Sequence, residues 1–136
     1  SWKIQFIVET SVAIVVAEES CVGERSTRDL VDETGKTLDE MIDAIVGRYF
    51  KIDCACFTPN DERIEHILDL AGDSKADGVI HYSIQFCTPY SVESYKVEKA
   101  LQQKSIPVLK IESDYGMEDV GQLKTRIEAF LEMVKG

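Results

Sequence analysis

The sequence predicts an α/β fold in which helices cover both faces of a mainly parallel sheet. Three observations carry this expectation: short runs dense in branched apolar residues, helical apolar periodicity between them, and helix-start signals that punctuate the alternation. "SVAIVVAE" (residues 11–18), "ADGVIHYSIQF" (76–86) and "IPVLKIES" (106–113) are the runs. At 136 residues and 44% hydrophobic, the chain has the size and apolar content of one domain with its own core.

Taken in order, Trp2 to Glu9 presents Trp2, Phe6 and Ile7 at helical spacing, although the Trp2, Ile4, Phe6 alternation also suits a strand; helix is the preferred reading. Residues 11–18 then read as a parallel strand covered on both faces. Thr37-Leu-Asp-Glu40 forms a capping box, and Leu38, Met41, Ile42, Ile45, Val46 and Tyr49 share one face of a helix ending near Phe50. Thr58 as cap and Pro59 at the first helical position start the next helix, with Ile64, Ile67, Leu68 and Ala71 on its apolar side.

Asp77-Gly78 leads into a strand running toward Cys87, and Thr88-Pro89 or Ser91 opens a helix through Gln102. A buried strand at 106–113 follows, and Val120, Leu123, Ile127, Phe130, Leu131 and Val134 mark a last helix. This succession predicts a three-layer, doubly wound sheet of flavodoxin-like or Rossmann-like type. The chain opens directly in apolar sequence without a methionine, which suggests a piece of a longer protein lacking its first strand.

Charge narrows the function classes. Asp and Glu number 25 against 15 Lys and Arg, a net charge of -10, which argues against a surface tracking nucleic-acid phosphates. No apolar run approaches the roughly 20 residues of a membrane span, and the N-terminal order is not that of a signal peptide. The expected setting is cytoplasmic, with no nucleic-acid or membrane partner, where four cysteines are more naturally free, metal-bound or catalytic than paired.

The cysteines are the chemistry-bearing residues. "IDCACFTPNDERI" holds Cys54 and Cys56 one residue apart, and "IQFCTPYSVESY" repeats the cysteine-before-Thr-Pro arrangement at Cys87. In a doubly wound sheet, ligands sit beyond the carboxyl ends of the strands. Cys21 and Cys87 follow strands, Cys54 and Cys56 lead into a helix, and Glu112, Asp114 and Tyr115 follow the last strand, so all can line one edge. A helix N-terminus favours a thiolate through its unpaired N–H groups.

The plainer reading is that these are small apolar fillers, since free cysteine is among the most buried residue types. It carries most weight for Cys21, and is balanced for Cys54 and Cys56, which on an extended segment point to the same side. No zinc pattern occurs. His66, off the apolar stripe, reads as a solvated surface residue; His81, within a strand, reads as a satisfied core histidine. No nucleophile elbow, phosphate-binding loop or dinucleotide turn is present, and the acidic stretches read as solvated faces.

In the order "EESCVGERSTRDLVDETG", "RYFKIDCACFTPNDERI", "ADGVIHYSIQFCTPYSVESYKVEKAL" and "IPVLKIESDYGMEDVGQLKTRIEAFLEM", the chain resembles the C-terminal part of the 2-hydroxyacyl-CoA dehydratase family, which also holds benzoyl-CoA reductase subunits and double-cubane cluster proteins. The "QFCTPY" and "DYGMEDVGQLKTRIEAFLE" segments are its most specific pieces. The resemblance implies that residues 1–136 are the C-terminal α/β domain of a longer iron-sulfur enzyme with a 4Fe-4S cluster or a double-cubane 8Fe-9S cluster. It also implies an acyl-CoA substrate, an ATP-hydrolysing iron-sulfur activator protein as electron donor, and a homo- or heterodimer. The implied reaction is one-electron reduction of the thioester to a ketyl radical, with loss of the 2-hydroxyl group.

Cys87 matches the family cysteine of the Phe-Cys-x-Pro segment and is the first candidate ligand of the cluster metal; Cys54, Cys56 and Cys21 match cysteines of some branches. Glu24, Arg25 and Arg28, in "SCVGERSTR", are candidate substrate-binding residues, the arginines for a CoA phosphate or else for surface ion pairs. The family's remaining cluster cysteines lie in an N-terminal domain not represented here, so the isolated fragment is expected to be inactive and can lack metal. The alternatives are an ATP-coupled double-cubane reductase of small molecules and a non-catalytic flavodoxin-like scaffold.

Overall fold

The computed structural model describes residues 2–20, 23, 25, 27–51, 53–57 and 59–136. Its elements are α1 (Trp2–Thr10), α2 (Leu38–Tyr49), α3 (Asp61–Asp73), β1 (Val79–Ile84), α4 (Thr88–Gln103), β2 (Val108–Ser113) and α5 (Val120–Lys135). β1 and β2 pair in parallel, from Val79 opposite Val108 to Ile84 opposite Ser113, with α4 as the crossover.

Successive strand residues face opposite ways, and this sorts the core into two layers. Ile80, Tyr82, Leu109 and Ile111 meet Ile4, Ile7 and Val8 of α1 and Leu123 and Ile127 of α5. Val79 and Val108 meet Ala71 of α3 and Val97 and Leu101 of α4. The result is the expected three-layer α/β arrangement with a parallel sheet. β1 lies close against α5: a side chain at Gly78 would come within 2.8 Å of the Phe130 ring.

Helix α1 is a helix, as preferred, and its buried Lys3 donates to Ser113 Oγ at 2.6 Å, Gly116 O at 2.7 Å and Asp119 Oδ1 at 2.9 Å. This locks α1 over the carboxyl end of β2. The capping box of α2 forms as predicted between Thr37 and Glu40.

Three expectations need correction. Residues 13–19 are not a strand; Ala13 and Val15 pack on the α1–α5 layer while Val12, Ile14 and Val16 face outward, so the segment is covered on one face instead of two. The apolar stripe of α2 is real in spacing, but none of its residues is buried in this chain. α3 starts after Asn60, which makes no side-chain cap bond, and the proposed cap Thr58 lies outside the described residues.

Candidate functional site at the carboxyl edge

β1 ends in a tight turn. Gln85 N–H donates to Ser113 O at 2.8 Å and Cys87 N–H to Ile84 O at 2.9 Å, while Phe86 takes a φ of 68° and stands 91% exposed. A phenylalanine in left-handed backbone, turned to solvent, is a costly conformation of the kind found at functional edges. The turn delivers Cys87 as the N-cap of α4, half-buried, with its side chain making no cap bond.

Cys54 and Cys56 share a second turn, closed by Phe57 N–H donating to Cys54 O at 3.0 Å and braced by Asn60 Nδ2 at 2.8 Å to the same carbonyl. Their sulfurs meet on one side as expected, but through a turn and not a strand. Burial alone would push the Cys54 thiol up; hydrogen bonds from the Cys56 N–H and thiol, and the Arg25 guanidinium, outweigh it and bring Cys54 below its ordinary value. Cys56 is exposed and moves up, because its thiol is bonded to Cys54.

Arg25 links the two cysteine turns. Its Nε donates to Glu19 Oε1 at 2.8 Å, and its Nη2 donates to the hydroxyl of Tyr90, three residues beyond Cys87, at 3.1 Å. Burial opposes its charge, and the Glu19 and Tyr90 bonds more than restore it, raising its pKa. Glu19 also accepts from Arg63, whose Nε reaches Glu93 Oε2 at 2.7 Å and whose guanidinium lies 5.0 Å from the Tyr90 ring centre. Arg63 is 2% exposed. Two buried cations between two carboxylates thus tie α3, α4 and the segment after α1 into one rim.

The sequence reading did not single out Glu19, Arg63, Tyr90 or Glu93. A signal existed: Arg63 falls in line with Ile67 and Ala71, and Glu93 with Val97 and Leu101, at four-residue spacing on buried stripes. A charge on such a stripe near a helix start marks a buried ion pair.

Arg28 lies apart from this network, paired with Asp53 and, at 3.5 Å, Asp29. With Lys51, Glu62 and His66 these residues line a cleft of about 360 Å³. Arg28 Nη1 and His66 Nε2 are both buried without a partner among the described residues. His66 is therefore half-buried at a cleft, not a solvated surface residue. His81 is buried, as expected of a core position, but its Nε2 also has no partner, so it is not a satisfied one. Asp114 accepts from Gly116 N–H at 2.7 Å, and Glu112 and Tyr115 are exposed. Cys21 and Glu24 lie outside the described residues.

The donor chemistry suits a soft metal centre in kind but not yet in number. Among the described residues, no three His, Cys, Asp or Glu side chains stand close enough to hold one metal ion. A cubane site would have to draw ligands beyond Cys54, Cys56 and Cys87. No helix among the described residues is long and apolar enough to cross a membrane.

A layered α/β protein with thiols and a buried ion-pair rim at the carboxyl end of its strands is the class so defined. The family model described as 2-hydroxyglutaryl-CoA dehydratase, D-component, matches residues 1–134, and the chain belongs to that family. It is 38% identical over 97% of its length to a protein of Escherichia coli (strain K12) named as dehydratase subunit YjiM, covering 34% of that protein. It is 29% identical over 95% to the (R)-phenyllactyl-CoA dehydratase beta subunit of Clostridium sporogenes, covering 33% of it, and 32% identical over 88% to the (R)-2-hydroxyglutaryl-CoA dehydratase subunit beta of Acidaminococcus fermentans, covering 32% of it. The chain thus spans about a third of the length of the curated relatives it matches.

Proposed function

We propose that this chain forms one wall of the cluster and substrate site of a 2-hydroxyacyl-CoA dehydratase that acts as a complex of subunits. The observation that carries this reading is Cys87, half-buried at the start of α4 on the carboxyl edge, in a chain of this family. Cys87 is the proposed ligand of a 4Fe-4S cluster, with further ligands drawn from outside the described residues, whether or not Cys54 and Cys56 also take part. Such a cluster, when bound, would supply a low-potential electron delivered by an ATP-hydrolysing activator.

The chain's own residues have defined parts in this proposal. Cys87 is presented as the N-cap of α4, at the edge where the strands end. The Glu19–Arg25–Arg63–Glu93 rim holds the two cysteine turns at fixed separation and keeps water from the space between them. Arg28, whose Nη1 has no partner among the described residues and which shares its cleft with Lys51 and His66, is the proposed contact for a CoA phosphate in preference to Arg25, which is bonded to Glu19 and Tyr90.

Anaerobic reconstitution of the full-length protein with iron and sulfide, followed by electron paramagnetic resonance, tests the reading. A cubane signal that Cys87→Ala removes is the expected result. Retention of iron in Cys87→Ala rules it out as an essential ligand, absence of any cluster rules out the reading, and iron near eight per chain points to the double-cubane reductase instead.

A further inference from the structure

On the α4 side of the sheet, a second cleft of about 330 Å³ is lined by His81, Ser83, Ser91, Ser94, Lys110 and Glu112, together with Arg126. His81 is 8% exposed, and its Nε2 is a buried nitrogen with no partner among the described residues. Leaving such a group unpaired is unfavourable, and a bound donor would recover that cost. The ring bonds its own backbone carbonyl, and burial, then Arg63, hold its pKa below the ordinary value, so the ring is neutral and Nε2 is left as an acceptor.

The other groups define what fits. Lys110, paired with Glu98 at 2.7 Å, and Arg126, whose Nη2 donates to Lys110 O at 2.6 Å, bring two cations to the cleft, where Glu112 is the lining carboxylate. Ser94 Oγ donates to Ser91 O at 2.7 Å and Ser91 Oγ to Cys87 O at 3.2 Å, which leaves both hydroxyl oxygens able to accept. The lining therefore joins acceptors at His81, Ser91 and Ser94 to two cations. The volume is at the small end for ligand sites.

We propose that the cleft beside His81 and Lys110 binds a small hydroxylated carboxylate, its hydroxyl donating to His81 Nε2 and its carboxylate held by Lys110 and Arg126. The cleft adjoins the Cys87 turn through Ser91, but calorimetry with metal-free probes reads the cleft while iron content and spectroscopy read the cluster, so the two proposals fail independently.

Isothermal titration calorimetry on the full-length protein, using glycerate, propionate and glycerol as probes, tests it. Glycerate should bind saturably, with propionate, which lacks the donors, and glycerol, which lacks the charge, each weaker by about tenfold or more. Lys110→Gln, at an exposed position, should weaken glycerate by a similar factor while thermal stability is kept, and His81→Phe should abolish the preference for glycerate over propionate. Absence of saturable heat from glycerate at tens of millimolar, as for a site holding only water, overturns the proposal. Equal binding of the three probes, or glycerate binding unchanged in Lys110→Gln, overturns it too. If His81→Phe does not fold, the probe series and Lys110→Gln decide the matter alone.

Discussion

Arg63 Nε donates to Glu93 Oε2 across 2.7 Å, with both side chains at least nine-tenths buried, and so joins the first turn of α3 to the first turns of α4. Removing one member of such a pair strands the other charge away from water, at a cost of about 3–5 kcal/mol. Glu93→Ala is expected to lower the urea midpoint accordingly. Arg63→Met combined with Glu93→Leu should recover part of the loss, although Glu19 then lacks one of its partners. A Glu93→Ala midpoint equal to wild type would show that the pair carries no net stability.

Arg25 keeps the Cys54 thiol below its ordinary value, together with the Cys56 N–H and thiol. Arg25→Gln should move the pH midpoint of Cys54 alkylation upward and slow its labelling by iodoacetamide at neutral pH, read peptide by peptide by mass spectrometry. An unchanged midpoint would mean that Cys56 alone sets the thiol's acidity.

His81 has a folded-state pKa below its ordinary value of 6.5, mainly through burial. The unfolded chain then binds a proton that the folded chain resists, so stability is full above pH 6.5 and is lost as pH falls from there through the folded value. Chemical denaturation from pH 8 to 5 should show this decline in wild type and a flatter profile in His81→Gln.

Thr37 caps α2, and its loss costs about 1 kcal/mol, a factor of about five in local opening. Because α2 buries none of its residues in this chain, Thr37→Ala should cut amide protection within residues 38–49 by that factor and leave global unfolding unchanged. A matching fall in global stability would mean that α2 is coupled to the core.

Local signals carried well wherever one segment sufficed to decide its own state. The Thr37–Glu40 box, the Pro89 start of α4 and the period of α5 each appear where the residues put them. Residues 11–18 misled because a branched apolar run says that a segment wants cover, not which neighbour supplies it. The same limit explains α2, whose stripe is legible but is left unburied by the described residues.

At the candidate site, cysteine spacing and the helix starts brought Cys54, Cys56 and Cys87 to attention, and the family was legible in "QFCTPY" and the ending from Asp114. Neither spacing nor periodicity could show that Arg25 bonds both Glu19 and Tyr90, the latter 65 residues beyond it, or that His81 Nε2 has no partner among the described residues. By itself the sequence determined the helices, the two paired strands and Cys87 at the start of α4, because those follow from local hydrogen bonding and side-chain period. Only the tertiary structure decided which charges were taken out of water together, because desolvation and pairing depend on neighbours that the chain brings close by folding.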